Sequence, residues 1–324
     1  MKHHFTLILI LGTLQIGFAQ QPAQYSLHMF NNFSFNPAYA GIDNSLSVTA
    51  VFRKQWVNLP ESPTTENVNA HMPLYLLHGG VGIEVENETL GNFQQTSALL
   101  AYDFQLPINR AGILSIGLSG GVVQRSLDGT KIRTPEGQYT TEPPTTFTHN
   151  DPILPNGDES GTSVAVNVGL YFQSERLEAG ISAINLTEQT IDLTALEFKP
   201  ERNYYFTATY TLDINRSLTL RPSILVKSNF NQTQIDFSAL LNYNDNFFGG
   251  ASFRGYNSDS VDAVAFIGGV KLNEKITLAY SYDLTLSNLN TVSSGSHEIL
   301  INYNLGKIIG KGRPPKIIYN PRFL

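Results

Sequence analysis

The chain has 324 residues and a formal net charge of −6, which leaves no basic surface for nucleic acid. It contains no cysteine, so disulfide staples, thiolate metal sites and thiol catalysis are excluded. Only 15% of the residues are charged, against 15 Tyr, 19 Phe and 26 Gly, a balance that suits a sheet facing lipid on one side and water on the other.

Residues 1–19 read as a secretory signal peptide. Lys2, His3 and His4 form a polar start, Phe5 to Phe18 is an apolar stretch, and Gly17-Phe18-Ala19 sets small residues for cleavage after Ala19. That stretch is too short for a good membrane helix, and the rest of the chain has no apolar run of about 18 residues. Residues 20–43 form an N-terminal segment, expected in the periplasm. It contains Gln24-Tyr25-Ser26-Leu27-His28-Met29-Phe30-Asn31 and then Asn36-Pro37-Ala38-Tyr39-Ala40-Gly41. Pro37 biases Asn36 toward extended backbone, and Gly41 supplies turn freedom.

From residue 44 to 305 the chain alternates, strand after strand, with no amphipathic helix between. About fourteen strand candidates are legible. The first sets Leu46, Val48, Ala50 and Phe52 on one face and Ser47, Thr49, Arg53 and Gln55 on the other. The sixth sets Val164, Val166, Val168, Leu170 and Phe172 opposite Ser163, Asn167 and Gln173. The last sets Ile299, Ile301, Tyr303 and Leu305 opposite Glu298, Asn302 and Asn304. Many run about nine residues or more, enough to cross a bilayer at barrel tilt. Charges such as Glu84, Glu86, Asp103, Arg125, Arg221, Lys227, Asp236, Arg254, Asp283 and Glu298 all fall on the polar parity. A Lys or Arg at mid-membrane on the lipid face would cost about 2–4 kcal/mol, and this segregation is what such a penalty produces. Lys54 and Lys271 stand as exceptions near strand ends, where a long side chain snorkels. The twelfth strand, Val261 to Lys271, is apolar on both parities.

The connections alternate between short and long. Turn formers cluster at Pro107-Ile108-Asn109-Arg110, Ser174-Glu175, Asp213-Ile214-Asn215-Arg216, Asn244-Asp245-Asn246 and Asn273-Glu274. Longer links lie near Val57–Thr65, Leu127–Gly161, Thr187–Arg202 and Leu286–Ser296. The expected fold is therefore all-β: a transmembrane outer-membrane barrel of about fourteen antiparallel strands, short turns in the periplasm, long loops outside and both termini periplasmic. A two-sheet soluble sandwich is the competing architecture. The link Leu127–Gly161 holds five prolines and reads as an external loop without a strand pair, capping the pore. A barrel of this size lies between small filled barrels and wide porins, so Gln20 to Gly41 is read either as a lead-in to the first strand or as a plug in the lumen.

The tail, residues 306–324, is basic. Lys307, Lys311, Arg313, Lys316 and Arg322 occur with no acidic residue, and Ile317, Ile318 and Tyr319 follow a stiff Pro314-Pro315 pair. It reads as a solvated tail or as a periplasmic docking peptide that adds a strand to a partner. Other motifs carry little chemistry. Glu84, Glu86 and Glu88 read as a lumen wall balanced by Arg53, Arg125, Arg221 or Arg254. Gly117-Leu118-Ser119-Gly120-Gly121 matches G-x-S-x-G, but it lies inside a strand rather than at a strand–helix elbow, so its glycines are read as permitting curvature or close backbone approach. No histidine spacing fits a zinc site, and no cofactor is expected.

Asn36-Pro37-Ala38-Tyr39-Ala40-Gly41 followed by Arg53-Lys54-Gln55-Trp56 resembles the PorP/SprF family of Bacteroidetes outer-membrane proteins. The Gln24-Tyr25-Ser26 start and the Pro321-Arg322-Phe323 end are similar to that family too, with His28 standing where an aromatic is usual. The resemblance implies a FadL-like barrel and a non-enzymatic role in the type IX secretion system, including export or anchoring of gliding adhesins. It implies as partners the secretion machinery and the C-terminal sorting domain of cargo, alongside outer-membrane lipid. It makes Asn36 to Gly41, Arg53, Gln55 and Trp56 the family-motif residues. The docking reading of the tail rests on Lys307, Lys311, Arg313, Lys316, Ile317, Ile318, Tyr319, Arg322 and Phe323. The alternative function is a FadL-like uptake channel for a small apolar solute.

Overall fold

The computed structural model describes residues 23–307, apart from 109–110, 143–144, 194–195 and 257–260. The signal-peptide stretch and the tail residues Lys311, Arg313, Lys316, Ile317, Ile318, Tyr319, Arg322 and Phe323 lie outside the described residues.

Fourteen antiparallel strands form one sheet, each paired with its neighbours in sequence. They are β1 Ser47–Lys54, β2 Thr64–Leu74, β3 Gly79–Leu90, β4 Phe93–Ile108, β5 Gly112–Asp128, β6 Asp158–Gln173 and β7 Leu177–Ile184. There follow β8 Asn203–Tyr210, β9 Leu218–Ser228, β10 Thr233–Tyr243, β11 Phe247–Tyr256, β12 Val261–Lys271, β13 Ile276–Thr285 and β14 Ser296–Asn304. β8 breaks at Thr211 and resumes as Leu212–Asn215, and both pieces pair with β9. β1 closes on β14 with Ser47 opposite Asn304 and Lys54 opposite His297. Closure leaves the barrel sheet no free edge among the described residues, which a bilayer requires.

The alternation turns the usual core inside out. Phe52, Val68, Leu100, Leu118, Phe237 and Phe266 point outward and are exposed, while Thr49, Asn67, Asp103, Ser115, Asn167, Asp236 and Ser281 point inward and are buried. A soluble sheet would bury the first set; a barrel in lipid exposes it. The short links gather at one rim, where Tyr75–His78 and Asn244–Asn246 turn, and both ends of the barrel sheet lie there. The longer links gather at the other, the loop rim.

Two readings need correction. Lys271 is not on the lipid face. It shares parity with buried Ala265 and Ile267 and lines an inner cavity with Thr49 and Arg221. A bulge sets Arg254 opposite Ala263 but Gly255 opposite Val261, so the extra residue Asp262 shifts the alternation. The loop after β5 does contain a strand pair, Gln138–Thr140 with Thr146–Thr148. A second small hairpin, Ile191–Leu193 with Leu196–Phe198, lies in the β7–β8 link. It is this second hairpin that folds over the wall: Ile191 is buried with Val123 and Ala165, with Leu99 and Phe198 packed against them. Phe198 and Phe93 also flank the Arg125 guanidinium, at 4.5 and 5.2 Å.

Candidate functional site

The lumen holds the chain's own N-terminal segment. From Ala23 to Ile42 most side chains are buried, although only three single-turn 3-10 helices, His28–Phe30, Asn32–Ser34 and Pro37–Tyr39, give the segment regular structure. Its apolar side chains find apolar partners on the inner wall. Leu27, Met29 and Phe35 join Val51, Tyr205, Leu225, Leu240, Phe248, Ile267 and Leu300 in one buried cluster. Those wall residues sit on the parity that otherwise carries polar groups. Burying each such side chain contributes about 1.5–3 kcal/mol, so inward Leu and Phe make sense only where a covering segment excludes water.

Nearer the loop rim, Ser26 is the hub of an ionic lock. Its backbone N–H donates to Glu298 at 2.7 Å, and the Leu27 N–H donates to the same carboxylate at 3.1 Å. The Ser26 hydroxyl donates to Asp283 at 2.7 Å and accepts from Arg53 at 3.1 Å and Arg254 at 2.9 Å. Arg53 forks between Asp283 at 2.8 Å and Glu298 at 2.9 Å and is 1% exposed. Arg254 binds Asp236 at 3.1 Å and Asp283 at 3.3 Å and reaches the Tyr25 carbonyl. Gln55 donates to Gln24 at 3.1 Å. The Gln24-Tyr25-Ser26 block and the Arg53/Gln55 block, separate in sequence, therefore meet in the lumen. Trp56 takes no part: it is half-buried, at a positive φ of 47°, with its backbone N–H donating to the Ser296 hydroxyl.

Of the arginines expected to balance the acidic row on β3, Arg125 is close enough to offset Glu88, together with Lys227. Arg53 and Arg254 are engaged in the lock, and Arg221 pairs with Glu178 at 3.7 Å. Glu86 instead accepts from the Tyr25 hydroxyl, and both Glu84 and Glu86 accept from the Asn67 amide. Burial and then Glu86 push the Tyr25 phenol well above its ordinary value, which keeps it a donor. His28 is buried with no hydrogen-bond partner on either ring nitrogen. Burial pushes its imidazole down to about 4, so it sits neutral.

Nearer the short-turn rim the segment is held by close approach. The Asn36 side chain caps the Pro37–Tyr39 turn by accepting from the Ala38 N–H, and it donates to the Leu170 and Ile181 carbonyls of β6 and β7. Ala38 lies directly on Gly117, where any Cβ would strike the Ala38 backbone. Gly169 gives the same clearance to Asn36. Thus the glycine of the G-x-S-x-G run serves close backbone approach. The Tyr39 hydroxyl donates to Asp43 at 2.9 Å, and its ring meets Tyr171 edge-on at 5.0 Å. The Ala40 carbonyl accepts from Gln105. Gly41 adopts φ +69°, packs on the Met72–Pro73 backbone and donates to His71 at 3.2 Å. Below this, a cavity of ≈ 260 Å³ lined by Asp43, His71, Arg221 and Lys271 opens toward the short-turn rim. Lys307 is exposed there, past the end of β14.

Sequence reasoning missed Ser26 as the hub and the inward apolar set as its counterpart. The signal was present: Leu225, Leu240, Ile267 and Leu300 break the polar parity of their strands.

A closed β-barrel, apolar outside and polar within, defines the class: an outer-membrane barrel with the FadL-like architecture. The Ralstonia pickettii toluene transporter TbuX is similar, at 10% identity, over 86% of this chain and 92% of that one, with a TM-score of 0.51. The CymD monoaromatic hydrocarbon channel (11%, 86% and 93%, 0.49) and Acinetobacter baumannii Omp33 (7%, 80% and 97%, 0.46) also match. No curated protein sequence matches the chain. The model of the type IX secretion system membrane protein PorP/SprF matches residues 17–303. The chain belongs to the PorP/SprF family, which places it in the outer membrane and with the type IX secretion machinery.

Proposed function

We propose that this chain is a non-enzymatic outer-membrane component that handles or anchors exported cargo, such as gliding adhesins, through the cargo's C-terminal sorting domain. Its N-terminal segment acts as a resident plug. Both termini and the short turns face the periplasm, and the basic tail docks machinery there. The observation that carries this reading is the family's own motif: Gln24, Ser26, Arg53 and Gln55 converge on one buried lock, and Asn36 to Gly41 seat the same segment on the wall. Residues spent on holding a plug support a partner-handling role over an open solute pore. The reading as an uptake channel for a small apolar solute draws on the shared barrel architecture alone.

Tagged full-length protein, purified from outer membranes in mild detergent, tests the proposal. It is expected to bring down machinery proteins and a protein bearing a C-terminal sorting domain. Removal of residues 307–324 is expected to abolish machinery capture while the barrel stays folded. Solute uptake by the pure barrel, with no protein captured, would overturn the reading.

A further inference from the structure

The outer wall of the barrel is not uniformly convex. Across β4 to β9 it carries a groove of ≈ 670 Å³, bordered by Ile116, Leu118, Leu170, Ile181 and Phe206, with small Ala183 among them. Ligand-sized pockets run about 300–1,000 Å³, so the groove accommodates one chain-like apolar ligand. Its floor is the cross-strand row Gly117, Gly169, Ser182, which faces the lumen and leaves only backbone toward the outside.

The lumen side of the same row carries the plug. Ala38 rests on Gly117 and Asn36 on Gly169, the Ser182 hydroxyl donates to the Phe35 carbonyl, and Asn36 holds the carbonyls of Leu170 and Ile181. The groove and the Phe35–Ala38 turn therefore press on opposite faces of one thin stretch of wall.

We propose that this groove seats an acyl chain of an outer-membrane lipid, and that the plug's Asn36 braces its floor. The groove is continuous with the exposed Leu, Ile and Phe band that meets the bilayer, so acyl chains are the solvent at its mouth. Its lining holds no Lys, Arg, Asp or Glu to recognise a headgroup or a charged peptide. The assignment is independent of the cargo reading, since it needs only the barrel, the plug turn and a bilayer.

The test uses the full chain in phosphatidylethanolamine vesicles doped with a phosphatidylethanolamine carrying a mid-chain diazirine. After photolysis, adducts are expected on peptides spanning 114–118 and 166–183, about five-fold above those on the outward residues of β12 to β14. Ala183→Trp should remove most of that excess while the barrel keeps its heat-modifiable migration. Ala183→Leu is the milder filler if the first variant fails to fold. Asn36→Ala should lower the same adducts by weakening the floor. Even labelling around the barrel, or unchanged labelling in both filled variants, would overturn the acyl-chain seat. Unchanged labelling in Asn36→Ala would overturn the brace. A photo-reactive residue at position 181 that captures a protein in cells, rather than lipid, would reassign the groove to a partner.

Discussion

The two ends of the plug are held by different physics. Toward the loop rim, Ser26 sits among two guanidinium groups and two carboxylates, all buried. Toward the short-turn rim, Ala38 to Gly41 lie on glycine-cleared and bare backbone, where fit does the holding. The ionic end is expensive to desolvate, and losing one partner leaves an uncompensated buried charge. The steric end tolerates no added atom, and its contact with a carboxylate, Tyr39 on Asp43, comes from a neutral hydroxyl. A segment held in both ways can be loosened at one end while the other stays seated.

The sharpest way to break this contrast is Arg53→Ala. It strands Glu298 and leaves Asp283 with Arg254 alone, so a loss of about 3–5 kcal/mol is expected in the unfolding of the detergent-solubilised barrel. Adding Glu298→Gln should recover part of the loss, because the stranded charge is removed. No recovery would mean that packing, not charge, dominates that end. Gly117→Val addresses the other end. Its side chain enters the space of Ala38, and overpacking of this kind costs about 1–3 kcal/mol. The expected readout is faster hydrogen exchange at residues 35–41, with the Ser26 amide still protected. Equal loss at both ends would show that the plug moves as one piece.

The smallest effect has the opposite sign. His28→Phe keeps a ring in the lumen and removes two buried nitrogens that have no partner. Relief of such a group is worth about 1–3 kcal/mol at most, so a modest rise in the thermal midpoint is expected. A fall would mean that the imidazole is satisfied in solution by something other than protein.

Much of the fold was legible in the sequence because the bilayer enforces it. A charge on the lipid parity is penalised, so Asp103, Arg125, Asp236 and Glu298 mark the inner face on their own strands. Lys271 was misread because β12 is apolar on both parities and Asp262 adds one residue to the count. The hairpin at 138–148 was missed because three-residue strands show no period. The site was legible only in halves. Gly117 announced a close approach without naming Ala38, and Ser26 and Glu298 stand 272 positions apart, beyond any local pattern. The inward Leu225, Leu240 and Leu300 were the overlooked clue that the lumen has an occupant.

The central claim is that residues 23–43 close the lumen. Planar-bilayer conductance of the full chain against a variant lacking residues 23–43 tests it most directly, with heat-modifiable migration confirming that both barrels are folded. The account predicts a silent full-length barrel and discrete open steps in the deletion. Equal conductance in the two would contradict it.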